Sequence, residues 1–291
     1  MTTNTRVPQD AEAVREIVRA GYGAIARQAE KSDGGCGCGA GGCCGSTATA
    51  APGSLAAQIG YDPAELAALP EGANMGLSCG NPTALAALRP GEVVLDLGSG
   101  GGFDVFLAGP RVGPTGRVIG VDMTADMIAK ARRNTAAYRQ ATGLDNVEFR
   151  LGEIEYLPVA DASVDVVLSN CVLNLSPDKP QVWREIARVL RPGGRVAVSD
   201  LALLRPLPEA VREMVTALVG CVAGAALVSE TEAYMRAAGL VDIVLTPKPE
   251  YVAALAHFED PLYRQIAAAL PAGTQAADFI TSLDIAARKA E

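Results

Sequence analysis

The stretch VVLDLGSGGGFD, residues 93–104, constrains this chain more than any other. A β-branched run passes into Gly98-Ser99-Gly100-Gly101-Gly102, and the pattern resumes as a helix. Turns without side chains let backbone N–H groups approach a nucleoside or its polar tail. The same texture recurs in RVIGVDM, VEFRLG, VDVVLSN and GRVAVSDL, separated by helical patterns at Gly102–Pro110, Thr124–Thr142 and Lys179–Leu190. Short strands alternating with helices of that length predict βα units and a parallel α/β sheet. Further helices are expected at Pro208–Gly220, Ser229–Ala238 and PLYRQIAAAL, with later strands at LVDIVLT and DFITSLDIAARK. The second strand ends in Asp122, where a carboxylate can accept both ribose hydroxyls of an adenosine cofactor. A plainer reading is that the glycines only permit a tight turn and that Asp122 caps the helix starting near Thr124.

The seven cysteines are the second constraint, and their meaning depends on compartment. The N-terminal MTTNTRVPQDAEAVREIV lacks the basic-then-apolar order of a secretory signal, and no apolar run reaches the roughly 18 residues of a spanning helix. The chain is therefore expected in the cytoplasm, away from membranes. Thiols there serve metal binding or redox chemistry more often than permanent disulfides, and thiolate selects soft, thiophilic partners. Cys36, Cys38, Cys43 and Cys44 crowd the glycine-rich stretch Gly34–Ser54, which should be mobile unless its thiols are bound. Cys79, Cys171 and Cys221 stand alone. An amphipathic helix from about Asp10 to Glu30 precedes the first group, with Val14, Ile17, Val18, Tyr22 and Ile25 at helical spacing. Asn81-Pro82, just after Cys79, reads as an N-cap and first turn of a short helix to about Leu88. The balance of 25 basic and 33 acidic residues, net −8, with no Lys/Arg run, argues against a nucleic-acid partner. With 291 residues, 49% of them hydrophobic, there is enough for one large α/β domain and an appendage.

A dinucleotide loop would want a third glycine where Phe103 stands. What VLDLGSGGGFD resembles is motif I of the class I S-adenosylmethionine-dependent methyltransferases. IGVDM, LGEIEYLP, SVDVVLSN and LRPGGRVAVSD resemble the later motifs in order, over Glu92 to Leu201. The resemblance implies a Rossmann-like fold: a mostly parallel seven-stranded sheet with helices on both faces. To it are added an N-terminal helical, Cys-rich segment (1–70) and a C-terminal extension (246–291) beyond the core (71–245), completing the sheet and acceptor pocket. It also implies that Asp96, Gly98 and Gly100 contact the methionine portion, Asp122 the ribose, and Glu153 with Ile154 the adenine region, with Met123 and Asn170 also at the cofactor. In the strand order 3-2-1-4-5 the first and fourth strands are neighbours, which places Asn170 and Cys171 across from the glycine loop, near the methyl group. The short helix after Asn81 must run antiparallel to the first strand, so Cys79 can reach the same face. Cys221 is less constrained by topology.

Around this frame, NMGLSCGNP, SNCVLNLSPDK, GCVAGA and SETEAYMRAAGL resemble the signatures of arsenite S-adenosylmethionine methyltransferases. That resemblance implies arsenite or methylarsenite held on the thiolates of Cys171 and Cys221, with Cys79 as a third thiol. An upstream cysteine, Cys44 or Cys43, would pair with Cys79 in a disulfide relay, while Cys36 and Cys38 would be additional capturing thiols. The CGC-plus-CC insert departs from the family pattern, so the upstream partner stays open. S-adenosylmethionine is the implied methyl donor, a thiol reductant such as thioredoxin or glutathione the implied partner, and a monomer the expected state. Trivalent arsenic brings its own lone pair, so no general base is needed; the single histidine, His257, reads as a spectator. Three alternatives remain at this point: the cysteines as small buried hydrophobes in a methyltransferase for a small organic acceptor, a metalloid-binding protein without turnover, and a zinc site on the CGC/CC run. The last lacks the C-x₂₋₄-C pairs of structural zinc sites.

Overall fold

The computed structural model describes residues 7–32, 56–57, 59–252 and 261–291. Helices α1 (Ala11–Ser32), α2 (Pro63–Ala67) and α3 (Pro82–Ala86) lead into β1 (Val93–Leu97), α4 (Phe103–Val112), β2 (Arg117–Asp122), α5 (Ala125–Thr142), β3 (Val147–Leu151) and β4 (Val164–Asn170). Then follow α6 (Lys179–Val189), β5 (Leu190–Leu203), α7 (Glu209–Arg212), α8 (Val215–Val219), α9 (Val228–Ala237), β6 (Leu240–Lys248), α10 (Pro261–Ala269) and β7 (Ile280–Lys289). The strands form one sheet in the order β3-β2-β1-β4-β5-β7-β6, in which β7 runs antiparallel to both its neighbours. β1 thus lies between β2 and β4, Asp96 pairing with Gly120 on one side and Leu168 on the other.

Alternation along the strands separates the two faces. Leu95, Ile119 and Val196 pack with Trp183 and Ile186 of α6 on one side. Their neighbours Val94, Val118 and Ala197 pack with Phe106 of α4 and Ile128 and Tyr138 of α5 on the other. Each Val, Leu, Ile or Phe side chain so withdrawn from water contributes roughly 1.5–3 kcal/mol. The caps follow the residue types: Asn81 accepts the Ala84 amide at 2.9 Å with Pro82 in the first turn of α3, and Asp178 accepts the Gln181 amide at 3.0 Å to start α6. Past the C-terminal ends of β4 and β5, a third apolar cluster forms from Val14 and Val18 of α1, Leu218 of α8, Ile266 of α10 and Ile280 of β7. It encloses Cys79, Cys171 and Cys221.

One expected element differs. The helix expected over Pro208–Gly220 is split into α7 and α8, because Met214 adopts an extended backbone (φ −74°, ψ 120°). The carbonyl of Glu213 there accepts the amide of Val7 at 2.9 Å, so the break anchors the chain entering α1. No helix among the described residues is long and apolar enough to cross a membrane.

Candidate active site

A cleft of about 960 Å³, counted with its open mouth, lies at the C-terminal ends of β1, β2 and β4. Its floor is the glycine loop. Gly98 has φ +65°, and a Cβ there would come within 2.3 Å of the Val172 side chain, so only glycine fits. Asp122 joins the loop to the next helix: Oδ2 accepts the Gly100 amide at 3.0 Å and Oδ1 the Thr124 amide at 2.8 Å. Asp122 therefore does stabilise the start of α5, and it lines the cleft as well. Each carboxylate oxygen keeps a second lone pair for a ligand hydroxyl. The Ser99 hydroxyl, also in the lining, is buried without a hydrogen-bond partner. A buried hydroxyl without a partner, facing the cleft from the glycine loop, fits the polar portion of a nucleoside cofactor.

The electrostatics favour a cation. Asp96, Asp104 and Asp122 all line the cleft, and burial raises the pKa of each. Asp96 is pushed well up by burial and then by the charges of Asp104 and Asp122. Asp104 is pushed to about 6 by burial, opposed by hydrogen bonds from Tyr61 (2.7 Å) and the Asn170 amide (3.1 Å). With Arg111 the one positive group among the described residues acting on the trio, through Asp104, these three carboxylates would be relieved further by a sulfonium or ammonium group. Asn170 then carries the network onward, its Oδ1 accepting the amide of Cys79 at 3.0 Å.

Cys79 and Cys171 are joined by a disulfide with their Cα atoms 5.9 Å apart. Cys171 lines the cleft, whereas Cys79 and Cys221 lie behind it. The Cys221 thiol donates to the Cys171 carbonyl at 2.8 Å, and burial, with the neighbouring Asp200, drives its pKa up. Both Cys171 (φ +57°) and Cys221 (φ +61°) sit in the left-handed region, which for a side chain with Cβ costs of order 1–3 kcal/mol and gathers at functional sites. Asp200, on β5, is pushed to about 7 by burial, while nearby amides, that of Leu201 first, pull it back.

The cleft has a cover that the sequence pattern did not place there. Arg15, Val18 and Tyr22 of α1 line it, and Arg15 pairs with Glu153 (3.5 Å) and Glu155 (3.4 Å) while Arg19 pairs with Glu153 (3.4 Å). Tyr22 donates to the Val219 carbonyl at 3.2 Å, its oxygen 3.8 Å from the Cys221 sulfur. Of the residues expected to hold the cofactor, Asp96, Gly98, Gly100, Asp122, Met123, Ile154 and Asn170 line the cleft. Glu153 is not among the lining residues, and its carboxylate pairs with Arg15 and Arg19; the nearby Glu155 lines the cleft. Asp104, Tyr61 and Asp200 were not singled out from sequence, since each falls within an ordinary helical, turn or strand pattern. Cys36, Cys38, Cys43, Cys44 and His257 lie outside the described residues.

Residues 88–239 match a methyltransferase domain family. The chain is 51% identical over 245 residues to an arsenite methyltransferase of Halobacterium salinarum, covering 83% of this chain and 61% of that protein. It is 43% identical over 159 residues to an arsenite methyltransferase of Aquipseudomonas alcaligenes, covering 54% and 46%. Among solved structures, it resembles an arsenic(III) S-adenosylmethionine methyltransferase from Chlamydomonas reinhardtii, with a TM-score of 0.57 and 34% identity over 74% of this chain and 67% of that one. The chain thus spans less than two thirds of the length of these two curated relatives.

Proposed function

This chain belongs to the class I S-adenosylmethionine-dependent methyltransferases, and from that premise we propose that it methylates trivalent arsenic held on the thiolates of Cys79, Cys171 and Cys221. The observation that carries the reading is the position of Cys171. It lines the cofactor cleft, its sulfur is within bonding reach of Cys79, and its carbonyl holds the Cys221 thiol. A thiol set lodged in apolar packing for its own sake would not need to open on the cleft.

S-adenosylmethionine, when bound, supplies an electrophilic methyl group on a sulfonium. Asp122 would hold the ribose hydroxyls, the Gly98–Gly100 loop and Ser99 the polar tail, and Asp96 with Asp104 the positive charge. Arsenite exchanges its hydroxyls for the three sulfurs, each thiol proton leaving with a hydroxyl as water. The arsenic lone pair would form the bond to the methyl carbon as the carbon–sulfonium bond breaks, S-adenosylhomocysteine leaving as the neutral thioether, so catalysis consists mainly of orientation. The transfer leaves arsenic formally pentavalent, and two thiolates return it to the trivalent state by giving up two electrons and closing a disulfide. The described geometry supports Cys79 with Cys171 as that pair. The alternative of Cys44 or Cys43 with Cys79 involves residues outside the described set. An external thiol reductant, thioredoxin or glutathione, would reopen the bridge.

Incubation of the reduced chain with arsenite, S-adenosylmethionine and a dithiol, followed by arsenic speciation, tests this. Methylated arsenic is expected, and Cys171→Ser should abolish it with cofactor affinity retained. Thiol-dependent arsenite binding without product would indicate a binding protein instead, and neither binding nor product an organic acceptor.

A further inference from the structure

We propose that the reduced chain holds a soft divalent cation, of the zinc or cadmium class, between the sulfurs of Cys79 and Cys171 and the carboxylate of Asp200. One ligand atom from each of these residues already lies within 4.8 Å of the other two, and all three residues are buried. Three separate pieces of chain converge to make the group: the segment before α3, the residue after β4, and β5.

Asp200 supplies the independent sign of a ligand. It is 2% exposed. Its Oδ1 accepts the Asn174 side-chain amide and the Leu201 amide, both at 2.8 Å, but Oδ2 has no hydrogen-bond partner. The Lys179 ammonium and the backbone amides of Leu173 and Asn174 offset only part of the burial of this carboxylate, whose pKa stays raised; an oxygen buried without a hydrogen bond is costly, and a bound cation removes that cost. Two sulfurs and one carboxylate oxygen suit zinc or cadmium and not magnesium or calcium, which take oxygen alone. Three protein ligands leave a fourth position for solvent.

The site is closed while Cys79 and Cys171 are bonded to each other. An external dithiol opens it by giving two electrons and two protons to the S–S bond, itself closing to a disulfide; the incoming cation then displaces the two thiol protons to solvent. Cys221 neighbours Asp200 but is not one of the three grouped ligands, its thiol donating to the Cys171 carbonyl at 2.8 Å. That separates a two-sulfur, one-oxygen cation site from the three-thiolate arsenical site, and the cation site stands whether or not arsenic is the substrate.

The test uses the full chain with Cys36, Cys38, Cys43 and Cys44 replaced by serine, leaving three thiols. The protein is reduced with dithiothreitol, freed of it under nitrogen, and titrated with cadmium while the thiolate-to-cadmium charge-transfer absorbance is followed. One equivalent should bind to the reduced protein and none to the air-oxidised protein. Cys79→Ser should abolish binding, Asp200→Asn should weaken it at least tenfold, and Cys221→Ser should change it less than twofold. Unchanged affinity in Asp200→Asn, or a loss in Cys221→Ser as large as in Cys79→Ser, overturns the proposal. Asn keeps the size and the Oδ1 acceptor of Asp200; should that variant still fail to fold by circular dichroism, the cadmium-113 resonance of the protein with Asp200 intact decides. A shift typical of two sulfur ligands supports the site, and one typical of three refutes it.

Discussion

Asp122 is asked to do two things with one carboxylate: hold the amides of Gly100 and Thr124, and face the cleft. Asp122→Ala should weaken S-adenosylmethionine binding by about 1.5–3 kcal/mol, the usual worth of a hydrogen bond to a charged group, or roughly 10- to 100-fold by calorimetry. Arsenite binding should be preserved, and unchanged cofactor affinity would show that the carboxylate serves the turn alone. Cys171 tests the relation between strain and chemistry. At φ +57° a glycine is at ease where cysteine is not, so Cys171→Gly, compared under reducing conditions, should hold its denaturation midpoint or gain about 1 kcal/mol while losing methylation entirely. The buried acids give a pH signature. Asp104 and Asp200 titrate in the folded chain at about 6 and about 7, above the 3.8 of a free carboxyl. The native state therefore binds more protons than the unfolded state between about pH 4 and 7, and the stability these groups contribute is full at the acid end and falls as pH rises to neutrality. For Asp104 the groups that share its surroundings are Asp96 and Arg111, of opposite sign. Urea titrations at pH 4.5, 6 and 7.5 should show wild type losing stability relative to Asp104→Asn over that interval; a constant difference would mean that Asp104 ionises normally.

At the scale of elements, α1 is the part whose role the sequence conceals. Its helical period is plain from Val14, Ile17, Val18, Tyr22 and Ile25. What it covers is not, because Arg15 and Arg19 find Glu153 and Glu155 far along the chain and nothing local marks them as partners. Glu153, expected at the adenine, is one of these partners and is not among the residues lining the cleft. The strands, glycine loop and acid at the end of β2 were legible because each is written in a few consecutive residues. The meeting of Cys79 with Cys171 was legible in outline from strand order. The packing of Cys221 against Cys171 was not, since it depends on the break at Met214 that splits the expected helix. If α1 is a cover held partly by charge, Arg15→Ala with Arg19→Ala should speed cofactor release about 3- to 10-fold. That corresponds to about 1 kcal/mol for half-buried ion pairs. The wild-type rate should approach the variant's as salt is raised. Stopped-flow release at low and high ionic strength checks this, and salt-independent, wild-type-like release in the double variant would leave α1 as plain packing.

For the whole molecule, the bond between Cys79 and Cys171 spans a sequence separation of 92 residues and crosses from the segment before α3 to the end of β4. A cross-link of that reach restricts the unfolded chain and is typically worth about 2–4 kcal/mol. Addition of a dithiol should therefore lower the melting temperature by several degrees, and Cys79→Ser should melt at the lower value with or without it. An identical melt for oxidised and reduced wild type would mean that the bridge adds no stability. The same link bears on the proposed cycle as a whole. Under that cycle the fastened molecule is the spent one, and readiness for another substrate is regained only by loosening it. Working enzyme would then be the more fragile population, most exposed to heat and proteases at the moment it is able to act. A cell rich in reductant would trade durability for throughput.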